Sequence, residues 1–205
     1  MALLTALFAM ALMMGLGLSI ALVGTMEGVL GAHDRNARTL REASLAAAHL
    51  AIADLRARPS WSAVLAAGSA PPFAGVPGRA LDPTVFPPAP WGGPALDLLA
   101  LTADVQAAAD TGNGDSQAWR LFESARLERL VPGTSPGPWY LAVWVADDWA
   151  DGDGNPSVDA NGILAVRAAA FGPAGGAMTT VVSVMKTTVA GEPDRVRILT
   201  IRPGD

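Results

Sequence analysis

Hydrophobic and polar positions divide the chain into stretches of different period. Met1 to Met26 carry no charged side chain. About 20 apolar residues span a hydrocarbon core as a helix, so MALLTALFAMALMMGLGLSIALVG is long enough to cross a membrane. Gly15, Gly17, Ser19 and Gly24 interrupt it with small side chains, which let helices approach closely in a membrane or a packed bundle. From Glu27 to Arg58 the chain turns charged and Ala-rich. Leu30, Ala37, Leu40, Ser44, Ala47, Ala51 and Leu55 recur mostly every three or four residues, the mark of an amphipathic helix. The other faces carry Asp34, Arg35, Arg38, Arg41, Glu42, Asp54, Arg56 and Arg58. With no proline before Pro59, the pattern predicts one helix ending at Arg58, rising about 87 Å at 1.5 Å per residue. Pro59 stops it by steering the preceding residue away from helical geometry.

Residues 59–95 are rich in proline: Pro59, Pro71, Pro72, Pro77, Pro83, Pro87, Pro88, Pro90 and Pro94. Trp61, Val64, Leu65, Phe73, Val85, Phe86 and Trp91 lie among them, which predicts a connection packed on the head rather than a free linker. Trp61, Val64 and Leu65 suggest one short helical turn. Leu96 to Ala109 reads as a helix or irregular segment, with a strand beginning at Leu98, Leu99 and Leu101 as the alternative, and Asp110 to Asp115 reads as a turn. The period then changes. Trp119–Leu130, Trp139–Asp147, Gly162–Gly172, Met178–Val189 and Arg195–Arg202 are strand-like runs bounded by Gly, Pro, Asp and Asn clusters. Short connections favour antiparallel neighbours, giving a meander of four or five strands. One face of such a sheet needs cover, and the amphipathic half of the long helix supplies it. The expected class is α+β. It divides into an apolar helical half (1–26), an amphipathic half (27–58), a Pro-rich connection (59–117) and a sheet head (118–205).

Composition narrows the chemistry. Over 205 residues there is no cysteine, which argues against a disulfide framework and against thiolate or Cys-ligated zinc chemistry. The net charge is −5 and Lys186 is the only lysine, so no nucleic-acid footprint is expected. No Lys or Arg precedes the apolar run, unlike the basic start of a secretory signal peptide. His33 and His49 are 16 residues apart on the predicted helix, so they are not a zinc pair at helical spacing. Gly133-Thr134-Ser135-Pro136-Gly137 matches G-x-S-x-G on paper, but Pro136 stands where a strand-to-helix elbow should begin. An enzyme is not expected.

ALLTALFAMALMMGLGLSIALVG, followed by TMEGVLGAHDRNARTLREASLAAAHLAIADL and later by YLAVWVADD and DGDGNPSVDANGILAVRAAAFGPAG, resembles the type IV pilin superfamily. Within it the likeness is to PilX-type minor pilins and to the K-type pseudopilins of type II secretion. The resemblance implies a long N-terminal helix on an antiparallel sheet. It also implies a basic leader removed by prepilin peptidase, N-methylation of Met1 if the chain starts at its mature residue, and extraction from the inner membrane into a filament. The implied partners are other pilins or pseudopilins, the inner-membrane assembly platform and prepilin peptidase. The competing class is a membrane-tethered binding module that never enters a filament. Thr5 occupies the position where most pilins carry Glu, a carboxylate thought to neutralise a neighbour's terminal amine in the apolar filament core, where an unpaired charge is costly. A subunit without it suits a filament end; the plainer reading is a helix-interior hydroxyl bonded to its own backbone.

Asp147, Asp148, Asp151, Asp153, Asn155, Asp159 and Asn161 form the richest polar cluster. Calcium takes six to eight oxygens, and ligand types at the alternate positions Asp151, Asp153 and Asn155 begin like an EF-hand loop. Pro156 and Gly162 then replace that loop's Gly and bidentate Glu, so a calcium site here would be of another kind, completed by Asp147, Asp159 or a carbonyl. A solvated Asp/Gly/Asn turn between strands is the alternative. Calcium loops also occur in pseudopilins and minor pilins.

Overall fold

A computed structural model describes residues 2–67, 85–86, 96–113, 117–130, 139–172, 175–188 and 194–204. Met1, most of the Pro-rich connection, and the G-x-S-x-G stretch at 133–137 lie outside the described residues. Helix α1 runs from Ala2 to Ala57, one residue short of the expected stop at Arg58. Arg58 closes the end by donating its backbone N–H to the Leu55 carbonyl, and Pro59 follows. Contacts divide the chain into two units, residues 1–39 and 40–205, so α1 contributes to both.

The first unit is helix alone. It is the one segment among the described residues long and apolar enough to cross a membrane, and none of its best window is buried. Thr5, Ser19 and Thr25 turn their hydroxyls back onto the Ala2, Gly15 and Leu22 carbonyls, so these polar groups are satisfied within the helix.

The second unit is an α+β head. Its sheet has the order β3-β4-β5-β6-β7, from Arg120–Arg126, Tyr140–Asp147, Ile163–Phe171, Ala177–Thr187 and Arg195–Pro203, with every neighbouring pair antiparallel. The turn spacing predicts a meander of four or five strands, and five are present. On one face lies the Leu40–Ala57 part of α1, joined by α2 (Trp61–Ala67). Leu40, Ala43, Ala47, Ala51, Leu55, Trp61 and Leu65 pack there with Phe122, Leu141, Val143, Val145, Leu164, Val166, Val182 and Val184. Four alanines among the buried helix residues keep the helix surface flat, so backbone and sheet lie close. The opposite face is covered by α3 (Leu98–Asn113), where Leu98 and Val105 meet Trp119, Tyr140, Trp144 and Ala169. A two-residue pairing of β1 (Val85–Phe86) with β2 (Leu96–Asp97) precedes α3. Strand β4, covered on both sides, is buried along its whole length, which is why YLAVWVAD shows no polar alternation.

The structure sharpens several expectations from the sequence. The buried stripe of α1 begins at Leu40: Leu30 and Ala37 are exposed, whereas Asp54, assigned to a polar face, is buried and paired with Arg58 at 3.0 Å. Leu98, Leu99 and Leu101 belong to a helix, capped by Asp97, whose Oδ1 accepts the N–H groups of Leu99 and Ala100. That helix continues through Asp110 to Asn113, where a turn was expected; the Gln106 amide donating to Asp110 one turn later supports the extension. The run from Trp119 to Leu130 is strand only to Arg126 and then makes the short helix α4 (Leu127–Leu130).

Lys186 fastens the end of α1 to the sheet. Its ammonium donates to the Arg58 and Pro59 carbonyls at 3.2 and 2.9 Å and pairs with Asp194 at 2.8 Å. A cation at the carbonyl end of a helix also meets the negative end of the helix dipole.

Candidate functional site

The β4–β5 connection, residues 148–162, carries the acidic cluster. Local hydrogen bonds set its path. Asp153 Oδ1 accepts the Asn155 N–H at 2.7 Å and Asn155 Oδ1 accepts that of Ser157 at 3.1 Å, two successive Asx turns. Asp151 Oδ2 reaches across the loop to the Ala160 N–H at 2.8 Å. Asp159 Oδ1 and Asn161 Oδ1 close the loop on the N–H groups of Gly162 and Ile163. Gly162 sits at φ +75 with its Cα side against the Lys186 carbonyl, a conformation and an approach that an L side chain resists. Two contacts anchor the loop from outside. Ser62 of α2 exchanges hydrogen bonds with the Asp159 N–H and carbonyl, and Arg120 of β3 donates to Ser157.

One oxygen each from Asp147, Asp151 and Asp153 lies within 4.8 Å of the others. Asp147 is buried at the end of β4, Asp151 is half-buried and Asp153 exposed. These three line a cleft of about 230 Å³ together with Gln117, Asp148, Trp149, Asn155 and Pro156. Burial is the main cause that pushes Asp147 up to about 6; Asp151, Asp159 and Asp153 add to it, and the Asp148 N–H opposes it. Burial likewise raises Asp159, against the Gly162 and Ile163 N–H groups and the more distant Lys186. A carboxylate offers about four lone-pair positions, so the backbone N–H bonds made by Asp147, Asp151 and Asp153 leave capacity for a hard cation. The donor set is all oxygen and of one charge, the chemistry that suits calcium rather than a thiolate-seeking metal.

Of the five residues expected to hold calcium, the fold gathers Asp147, Asp151 and Asp153 into one group and brings Asn155 to the same cleft. Asp159 stands apart from that group, its carboxylate engaged in closing the loop. Gln117 is the residue that sequence reading missed. It enters from the strand-leading segment before β3 and donates to the Asp147 carbonyl at 3.2 Å, a meeting set by sheet register rather than by spacing along the chain. His33 and His49 are both exposed on α1. Thr5 donates its hydroxyl to the Ala2 carbonyl at 2.9 Å, the helix-interior arrangement. The class these features define is a long apolar-to-amphipathic N-terminal helix joined to an antiparallel head, a pilin-like layout. No protein-family model, curated protein or solved structure matches the chain.

Proposed function

We propose that the chain is a subunit of the type IV pilin kind, a minor pilin or pseudopilin that primes, caps or is built into a pilus or related secretion filament. It acts by packing rather than by catalysis. The observation that carries this reading is a single unbroken helix whose first part leaves its apolar surface wholly uncovered while its last part is buried in a sheet head. In an inner membrane that surface faces lipid; in a filament it faces the same surface of neighbouring subunits. The helix needs one or the other, because an apolar patch of this size is costly in water. Other subunits, an assembly platform and prepilin peptidase are the partners the reading requires.

The lack of a carboxylate at Thr5 suits a filament end, where no neighbour's terminal amine has to be neutralised, and its bond to the Ala2 carbonyl fits a plain helix-interior hydroxyl equally. Calcium in the Asp147, Asp151 and Asp153 cluster would relieve the repulsion among the three carboxylates and rigidify the β4–β5 loop.

Mass spectrometry of the N-terminus of protein taken from its own cell envelope tests the reading. An N-methylated first residue left by prepilin-peptidase cleavage is the expected result. Cleavage at a small residue after the apolar run, or an unprocessed start, would sink the filament and leave a secreted or tethered head. Within a filament, Thr5→Glu should move the subunit away from the tip in immunogold images; an unchanged position removes the argument from Thr5.

A further inference from the structure

The last strand departs from the burial that governs the rest of the sheet. Apart from the partly buried Val196, β7 is exposed along its whole length. Register pairs Val196, Ile198 and Ile201 with Lys186, Val184 and Val182, and the two valines belong to the core beneath α1. Directly paired residues share a face of a sheet, so all three β7 residues point to the α1 side. The helix nonetheless leaves Ile198 39% and Ile201 52% exposed, with Leu199 exposed beside the register shift. On the other face stand Arg195, Arg197 and Arg202, paired with Thr187, Met185 and Val181, and the strand carries no acidic residue. Long edge strands with exposed apolar side chains template association, and arginine is enriched at protein interfaces.

The complementary surface is on the same chain. Residues 147–161 contain Asp147, Asp148, Asp151, Asp153 and Asp159 and no basic side chain. Among them Trp149 is 65% exposed and Val158 is exposed too. A loop that lies over the free edge of β7 reaches both faces of that strand: its exposed Trp149 can meet the isoleucines on one side while its aspartates meet the guanidinium groups on the other. Within one head the loop leaves the sheet between β4 and β5, and Trp149 and the β7 residues Ile198 and Ile201 are all exposed, so their apolar surface is not used up inside the chain. We infer that a second copy of this chain docks its Trp149-bearing acidic loop on the exposed β7 strand. One patch meets a different patch, so the contact is heterologous and propagates head to tail instead of closing as a two-fold dimer. It concerns the heads alone and does not rest on the filament reading.

The chain has no cysteine, so single introduced thiols report the contact cleanly. Full-length Asn155→Cys and Thr200→Cys chains, both altered at exposed positions, are mixed in detergent micelles with a calcium chelator and gently oxidised. The mixed disulfide should exceed either like pair by at least about tenfold, a preference of ~1.4 kcal/mol. Arg197→Glu with Arg202→Glu on the Thr200→Cys chain should erase that excess, and Asp148→Arg with Asp153→Arg on the Asn155→Cys chain should bring it back. Thermal melts by circular dichroism check that each variant is folded, and the reciprocal swap separates lost charge matching from lost structure. Like and mixed pairs in the proportions of random collision, the result expected if only the apolar helices associate, would overturn the docking. So would the absence of any disulfide, or an excess that survives charge reversal. Filament-type processing at the N-terminus bears on none of these outcomes.

Discussion

Two parts of the same helix obey opposite rules. The apolar part of α1 buries nothing: Leu3, Phe8, Met10, Met13, Met14 and Ile20 are all exposed. The part from Leu40 to Ala57, poorer in large apolar residues and carrying Arg41, Glu42, Asp54 and Arg56, is the one that enters a core. Apolar content therefore does not decide where this helix packs; the periodicity does. A one-sided stripe of Leu and Ala matches the flat face of a sheet within the same chain, whereas a helix greasy all round and exposed calls for a surrounding phase or other subunits.

The sharpest break in that comparison comes from charge placed in the apolar part. Leu12→Arg together with Leu16→Arg should cost about 5–7 kcal/mol of membrane insertion, at the per-residue penalty for Arg near a helix centre. The protein should leave the membrane fraction, with head stability unchanged because both positions lie outside the 40–205 unit. Retention of the double variant in membranes after alkaline extraction would mean that the apolar part is not what anchors the chain.

The head's acidic loop responds to pH. Asp147 binds its proton more tightly folded, near 6, than unfolded, near 3.8, so the native state holds more protons between those values. Stability is then greatest below about pH 4 as far as this group is concerned and falls as pH rises through 6, by up to about 3 kcal/mol. If the cluster takes calcium, millimolar calcium should raise Tm at pH 7 and do little at pH 4. Asp147→Asn should flatten both responses. Equal melting temperatures with calcium and with chelator at pH 7 would remove the cation from the account.

The packed part of α1 answers to volume instead. Ala47 is fully buried against the sheet, and Ala47→Leu should cost about 1–3 kcal/mol by overpacking. Membrane association should stay as it was. A variant with unchanged Tm would show that α1 can shift away from the sheet at little cost.

How much of this was legible depended on whether the cause was local. The apolar run, the stop before Pro59, the short helix at Trp61 and the five-stranded meander all follow from spacing and turn chemistry near the residues concerned. The start of the buried stripe at Leu40 was not legible, because Leu30 and Ala37 keep the same period and are nonetheless exposed. Asp54 misled for a similar reason. A carboxylate among charged neighbours reads as solvated, and its burial depends on Arg58 one turn on and on the sheet beneath. In the acidic loop the alternate aspartates were visible, but the choice of Asp147 over Asp159 came from where β4 ends, and Gln117 came from the register of β3.

The smallest effect probes the finest detail of the helix–sheet contact. Ser44 and Thr180 meet through their hydroxyls at 2.8 Å in the buried face, and Ser44 Oγ also lies 2.9 Å from the Arg41 carbonyl. Ser44→Ala alone leaves the Thr180 hydroxyl without that partner, at a cost of about 1–3 kcal/mol. Thr180→Val alone removes one bond, yet Ser44 still has the Arg41 carbonyl to donate to, so its cost should be about 1 kcal/mol. The double variant replaces both polar groups with apolar ones and should be less destabilised than the sum of the singles. Denaturant midpoints for the four chains measure the coupling directly. Strict additivity would show that the two hydroxyls are not coupled, leaving the apolar contacts of Leu40, Leu55 and the alanines to hold this part of the helix on the sheet.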